Sequence, residues 1–323
     1  MNKPMSMSPR LEPTAHAFVE SLAGSQPIQT LSPVDARAVL SGAQKSAEVK
    51  LADVTVKDVT LPLGPTGETR IRVLRPAGAT SALPVIVYMH GGGWVLGDRE
   101  THDRLIRELA VGANAALVFV DYERSPEARY PVAVEQGYAV ARHIAENADK
   151  LNVDGSRLVI AGDSVGGNMA AVIALMAKER KGPAFKAQLL FYPVTDASMS
   201  SPSYEEFAQG PWLTREAMAW YWEQYIPDTD KRAEVHASPL NALVEDLAGL
   251  PQTLIIVDEN DVLRDEGEAY GRKLAQAGVR VTSVRYNGTI HDFVMLNALA
   301  MTPAVRGAVG QATGYLRFVF AAS

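Results

Sequence analysis

The 323-residue sequence contains no cysteine. This absence excludes disulfide bonds, thiolate metal sites and a cysteine nucleophile, and it leaves the redox compartment undecided. The sequence also lacks a basic stripe, because acidic and basic residues are mixed along the chain and give a net charge of −6. Nucleic acid is therefore not an expected partner.

Long apolar runs are missing as well, although 47% of the residues are hydrophobic and can form a large core. No run approaches the ~20 residues that span a bilayer, so no membrane partner is expected. The N-terminus has no basic region followed by an apolar run, which predicts a cytoplasmic protein without a signal peptide. The six histidines show no metal-ligand spacing, so we expect neither a metal nor a cofactor.

Strand-like and helix-like segments alternate from about residue 52 onwards. This alternation predicts an α/β fold with a mostly parallel sheet and helices on both faces. The predicted strands are Val54–Leu61, Arg70–Leu74, Leu83–Met89, Ala116–Val120, Arg157–Ala161, Ala187–Tyr192, Thr253–Val257 and Val279–Tyr286.

Two segments fall outside this alternation, and they divide the chain into four parts. Residues 1–50 contain two short amphipathic helices, the second with Ser32 as its expected N-cap before Pro33. Residues 51–196 and 251–323 form the two parts of the core. Residues 197–250 are a helical insertion that holds three of the four tryptophans. Its aromatic side chains either form a small core of their own or line a pocket above the sheet.

A nucleophile elbow is the most informative local pattern. The apolar segment 158–161 leads into Gly162-Asp-Ser-Val-Gly166 and then into residues that favour a helix. Glycines on both sides of Ser164 suit a turn too tight for side chains. Ser164 is therefore the candidate nucleophile.

A serine needs a base, and histidine held by a carboxylate is the usual one. His291 is the best candidate, because it lies in a glycine-containing loop after the last predicted strand. The acid is expected after the preceding strand, where spacing alone leaves Glu259 and Asp261 open. The order Ser164, Asp261, His291 is that of α/β-hydrolases. The remaining histidines, in helical patterns, polar surroundings or a glycine motif, are His16, His90, His102, His143 and His236.

A glycine run directly after the third predicted strand predicts an oxyanion hole. His90-Gly-Gly-Gly-Trp94 allows the backbone to approach a substrate and to direct N–H groups at it. The expected donors are the amides of Gly91, Gly92 and Val165, which would stabilise the negative oxygen of a tetrahedral intermediate.

From about residue 50 onwards, the sequence resembles the hormone-sensitive-lipase-like branch of the α/β-hydrolases, also called bacterial family IV esterases. The motifs that carry the resemblance are His90–Trp94, Asp121-Tyr122 with Pro126-Glu127, Gly162–Gly167, Tyr192–Asp196, Asp261–Gly267 and Gly288–Phe293. The resemblance implies an α/β-hydrolase fold with an eight-stranded sheet, Asp261 as the acid, and a helical cap over the acyl pocket.

We expect four residues near the predicted triad to support the loops around it, namely His90, Gly93, Tyr122 and Asp163. The sequence also departs from the family pattern at three positions. Val165 replaces the usual alanine, Val262 the usual proline, and Asp292 the usual glycine after the catalytic histidine. We expect Asp292 to be an exposed surface acid rather than a group that raises the pKa of His291.

The predicted function is that of a serine carboxylesterase acting on small-molecule esters of short to medium chain length, aryl esters included. An amidase, peptidase or acyltransferase with the same triad stays open, because fold and triad do not fix the leaving group. A non-catalytic hydrolase-like binding protein is disfavoured, since serine and histidine are both present. A homodimer is an expected assembly.

Overall fold

The computed structural model describes residues 11–322, so the first ten residues of the predicted N-terminal segment lie outside it. The strands among these described residues are β1 Val54–Leu61, β2 Thr69–Pro76, β3 Leu83–Met89, β4 Ala116–Asp121, β5 Val153–Asp163, β6 Ala187–Phe191, β7 Gln252–Asn260 and β8 Val281–Ile290. They form one eight-stranded sheet with the order β1-β2-β4-β3-β5-β6-β7-β8. Only β2 runs antiparallel to its neighbours, which confirms the mostly parallel sheet.

Helices cover both faces of this sheet. The helices are α1 Pro13–Ser21, α2 Pro33–Lys45, α3 Asp103–Ala113, α4 Val132–Glu146, α5 Val165–Glu179, α6 Pro202–Glu206, α7 Arg215–Tyr225, α8 Val244–Leu247, α9 Arg264–Gln276 and α10 Pro303–Ala321. The chain moves outwards from β3 to β4 and then crosses back to β5. Right-handed crossovers in these opposite directions place α3 and α4 on opposite faces. The reversal lies beside β5, so the carboxyl end of this strand borders the crevice where ligands of such sheets bind.

The last strand differs from its prediction. The sequence predicts a strand ending at Tyr286 and a glycine-containing loop before His291. The prediction of the loop is wrong. Strand β8 continues to Ile290, which pairs with Asn260 beyond an irregularity in the β7–β8 ladder. The glycine at position 288 has a positive φ of 73° and lies within this irregular stretch. His291 is therefore fixed directly to the end of a strand.

The N-terminal helices and the 197–250 segment contact each other. Ser32 caps α2 as predicted, its side chain accepting a hydrogen bond from the Asp35 amide. The Phe18 ring of α1 lies 5.4 Å from the Trp212 ring. The Gln29 side chain donates a 3.0 Å hydrogen bond to Glu216 of α7.

Among residues 11–322, no helix combines the length and the apolar character that crossing a bilayer requires. The cytoplasmic location and the homodimer stay predictions from the sequence.

Candidate active site

Ser164 occupies the sharp turn between β5 and α5. Its φ of 54° is unusual for a residue with a side chain. The turn has no room for side chains on either flank: a Cβ on Gly162 would lie 2.3 Å from the Gly166 carbonyl oxygen, and one on Gly166 would lie 2.1 Å from that of Met89. The Ser164 amide donates to the Phe191 carbonyl at 2.9 Å, which ties the turn to β6. The serine side chain is thus held at the carboxyl end of the sheet.

Three side chains from distant parts of the chain meet at this turn. The Nε2 atom of His291 lies 3.0 Å from the Ser164 Oγ, and its Nδ1 atom lies 2.7 Å from an Asp261 carboxylate oxygen. The other Asp261 oxygen accepts a hydrogen bond from the Leu263 amide at 3.0 Å, which fixes the carboxylate. All three side chains are buried. The alternative acid, Glu259, instead accepts a hydrogen bond from the Gly288 amide at 2.8 Å.

The surroundings of His291 favour its protonated form. Burial alone lowers the pKa of this imidazole, but the negative charges of Asp261 and Asp292 outweigh burial and raise the pKa above its ordinary value. Such an imidazole holds tightly a proton that it has taken from a serine. It also needs a higher pH to be neutral in the free protein.

Asp258 is a second buried acid beside the triad. Burial and the neighbouring charge of Asp261 raise the pKa of Asp258 well above its ordinary value. Oxygen atoms of Asp258 and Asp261 and a nitrogen of His291 lie within 4.8 Å of one another, a spacing compatible with metal ligands. Asp261 and His291, however, are already engaged in their mutual hydrogen bond.

The oxyanion-hole prediction needs one correction. The Gly91 amide donates a 3.0 Å hydrogen bond to the Asp163 carboxylate, so it is wrong as a donor to the substrate. The amides of Gly92, Gly93 and Val165 have no acceptor among the described residues. The chain bends sharply at the two remaining glycines, with φ of 103° and 63°. The two glycines with unengaged amides are therefore Gly92 and Gly93, one residue further along the run than predicted, while Val165 is unchanged.

A buried network beneath the glycine run includes the predicted supporting residue Asp163. Its carboxylate accepts hydrogen bonds from the Tyr88 hydroxyl at 2.7 Å and from the Gly91 amide at 3.0 Å. His102 Nε2 lies 3.2 Å from its second oxygen. Burial opposes charge on both partners, but their mutual attraction lowers the pKa of Asp163 and raises that of His102. Both shifts favour the ionised forms of the two groups. Sequence reasoning missed His102, because only its position at the start of α3 brings it to the nucleophile turn.

His90 and Tyr122, the other predicted supporting residues, stabilise the start of the glycine run. Their rings stack at 4.1 Å, and the Tyr122 hydroxyl donates to the His90 carbonyl at 2.9 Å. Burial and the nearby positive charge of His102 lower the pKa of His90 to about 3. The His90 ring is therefore neutral, and it supports the glycine run rather than transferring protons.

The expectation that Asp292 is exposed is wrong. Only 12% of its side chain is accessible. One carboxylate oxygen accepts a 2.9 Å hydrogen bond from the Trp212 indole, and the other lies 3.5 Å from His291 Nε2. Residue 292 follows the edge strand through a tight bend with φ of 66°, which turns its side chain inwards. Sequence spacing could not show this direction.

A cavity of about 460 Å³ opens above Ser164. Its wall joins the glycine run, the N-terminal helices and the 197–250 segment. The apolar part includes Val19, Leu22, Ile28, Leu213, Met218 and Tyr221. Tyr221 approaches the glycine run so closely that a Cβ on Gly93 would lie 2.1 Å from its ring. The cavity thus offers an apolar space next to a buried nucleophile and free amides.

Residues 86–295 match the family model described as the alpha/beta hydrolase fold. The chain belongs to the α/β-hydrolase family. Its structure is similar to that of a thermostable esterase from Pseudomonas putida, with a TM-score of 0.95 and 51% sequence identity over 97% of this chain and 99% of that one.

Several curated relatives of this family member are named as esterases or ester hydrolases. Carboxylesterase NlhH of Mycobacterium tuberculosis is 38% identical over 83% of this chain and 83% of its own length. Ethyl acetate hydrolase of Pseudomonas putida is 34% identical over 76% of this chain and 77% of its own length. These similarities confirm the predicted hormone-sensitive-lipase-like esterase branch.

Proposed function

We propose that this family member is a serine carboxylesterase that hydrolyses short- to medium-chain esters, aryl esters included, through an acyl-enzyme. The observation that carries the proposal is the continuous hydrogen-bonded chain from Asp261 through His291 to the Ser164 hydroxyl, at 2.7 and 3.0 Å. Carboxyl, imidazole and hydroxyl groups in this arrangement generate a nucleophile at neutral pH.

Each member of the chain has a distinct role in the proposed reaction. Ser164 attacks the ester carbonyl while His291 takes its proton, and Asp261 orients the ring and stabilises the imidazolium. The imidazolium then protonates the leaving alcohol, and water, activated by the same histidine, releases the acid. The amides of Gly92, Gly93 and Val165 bind the oxyanion in both steps. One such donor typically contributes about 10²–10³ in rate.

The acyl-enzyme can be trapped directly. We expect that acid quenching during turnover of p-nitrophenyl butyrate leaves a butyryl group on the peptide containing Ser164, since ester attack and release are separate steps. Mass spectrometry of the digested protein detects this group, with quenching before substrate addition as the control. Turnover with an unmodified Ser164 and an acylated residue elsewhere would refute the assignment.

We also propose that residues 1–50 and 197–250 form a cap which limits the acyl chain. The cavity of about 460 Å³ is walled by both segments, which supports a closed pocket for a small apolar group. The name of the ethyl acetate hydrolase among the relatives agrees with small esters as substrates.

The limited cavity predicts a chain-length optimum. With p-nitrophenyl esters from acetate to palmitate, kcat/KM should peak at or below hexanoate and fall steeply for longer chains, because these must displace cap residues. Replacing Met218, which lines the cavity, by alanine should move the optimum towards longer chains. A profile that rises up to palmitate in the unaltered protein would contradict this pocket.

A further inference from the structure

Two carboxylates flank the imidazole of His291, one at each ring nitrogen. Asp261 binds Nδ1 at 2.7 Å, as the triad requires. Asp292 lies 3.5 Å from Nε2, the nitrogen that also faces the Ser164 hydroxyl at 3.0 Å. The side chain of residue 292 therefore lies on the reacting side of the ring and lines the same cavity.

Trp212 holds this second carboxylate at a fixed distance. Its indole donates to one Asp292 oxygen at 2.9 Å, and its ring packs against Phe18 at 5.4 Å. The carboxylate is therefore tied to the 197–250 segment while its other oxygen faces His291. Because the indole occupies one oxygen, the aspartate cannot rotate fully towards the imidazole and displace the shorter contact to the serine hydroxyl.

We propose that Asp292 is a positioning residue that stabilises the protonated form of His291 and thereby sets the pH range in which the base is active, with Trp212 keeping it clear of the serine. The proposal rests on the serine-esterase function proposed above. It assigns a role to the one position beside the triad where an acid replaces the family's glycine.

The charges around Asp292 and His291 support the proposal. An anion near Nε2 stabilises an imidazolium and disfavours the neutral ring. His291 is also faced by Asp261 and Asp258 from the β7 side, and the Tyr192 ring contacts it at 4.8 Å. The titratable groups that interact with Asp292, apart from its hydrogen-bond donor Trp212, are His291, Asp163, Asp258, His102, Tyr88, Tyr192 and Tyr221.

Asp292→Asn is the decisive variant. Asparagine keeps the size, accepts the Trp212 hydrogen bond and tolerates a positive φ. It removes only the negative charge, so the pKa of His291 falls and the base is neutral at lower pH. We expect the acid limb of the kcat/KM profile for p-nitrophenyl butyrate to move down by about one pH unit, which is a nearly tenfold gain well below the limb. The alkaline plateau falls modestly, because the base is weaker.

Further variants separate positioning from a structural role. Glycine suits the backbone at this position, so Asp292→Gly gives the same downward shift of the acid limb. It replaces Asp292→Asn in the test if the asparagine variant does not fold. Trp212→Phe leaves the limb unmoved or moves it upwards, because the carboxylate keeps its charge and gains freedom. Asp121→Asn removes a partly buried acid that pairs with Arg70 at 3.7 Å rather than with His291, and it leaves the limb unmoved.

The outcomes distinguish a failure of the Asp292 proposal from a failure of the serine-esterase function on which it rests. If Ser164→Ala is inactive but the acid limb is the same with and without the Asp292 charge, the positioning role is wrong and the serine mechanism survives. Equal losses at every pH for the Asp292 and Trp212 variants would likewise overturn it in favour of a purely structural contact. If Ser164→Ala keeps full activity, the proposed function itself fails.

Discussion

Replacing Ser164 by alanine should lower kcat for p-nitrophenyl butyrate by about 10⁶-fold, because the group that attacks the carbonyl is lost. The serine hydroxyl contacts His291 at 3.0 Å, and no other hydroxyl among residues 11–322 is hydrogen-bonded to this imidazole. Initial rates of p-nitrophenol release by purified proteins measure this effect.

Ser198→Ala is a matched control for this loss. Ser198 is an exposed serine that bonds Asp196, away from the cavity, so its variant should keep the activity of the unaltered protein. Urea unfolding checks that Ser164→Ala is folded, which we expect, because the turn is held by backbone hydrogen bonds that the residue's amide donates and its carbonyl accepts. A folded Ser164→Ala protein within tenfold of normal activity would rule out the serine mechanism.

Replacing Asp163 by asparagine should lower the free energy of unfolding by about 3–5 kcal/mol near pH 5.5, because it leaves a buried imidazolium without its counter-charge. Asp163 and His102 are both fully buried at 3.2 Å. Asparagine can still accept a hydrogen bond from the Gly91 amide, so the change isolates the charge rather than the glycine run.

The effect of Asp163→Asn should depend on pH in a defined way. The pKa of Asp163 is lowered in the folded protein, so its contribution is present above about pH 3.9 and lost as the pH falls through the folded value. The pKa of His102 is raised, so its contribution is complete below about pH 6.5 and lost as the pH rises through the folded value. The largest difference from the unaltered protein therefore falls between these two pH values.

Denaturant unfolding at several pH values tests this prediction. The matched control is Asp154→Asn, which breaks a partly exposed pair with Arg157 at 2.6 Å and should cost no more than about 1 kcal/mol. Equal costs for the two variants, or a cost for Asp163→Asn that does not change with pH, would show that the buried pair is not ionised.

Sequence reasoning predicted the fold well because the strands are marked by composition. Leu83–Met89 is entirely buried and reads as a continuous apolar run, and its bounds are those predicted. The nucleophile turn was equally readable, since Gly162 and Gly166 stand where any side chain would meet backbone oxygen. Patterns of this kind are local, and a single sequence contains them.

The wrong predictions concern the directions in which amides and side chains point, not the positions of the motifs. The glycine run was placed correctly, but a sequence does not show that the Gly91 amide points down to Asp163 instead of up to the cavity. Asp292 likewise looked like a surface acid, because nothing along the chain predicts its contact with Trp212, 80 positions away. Such contacts depend on how segments far apart in sequence pack together.

The place of β8 at the rim of the sheet has a consequence for how the protein loses activity. Ser164 follows an interior strand with neighbours on both sides, whereas His291 follows a strand that pairs only with β7. Rim strands open before the centre of a domain does. Mild heating or dilute denaturant should therefore separate His291 from Ser164 while most of the sheet is intact. The rate of turnover would then report local unfolding of β8 before other signals of unfolding change.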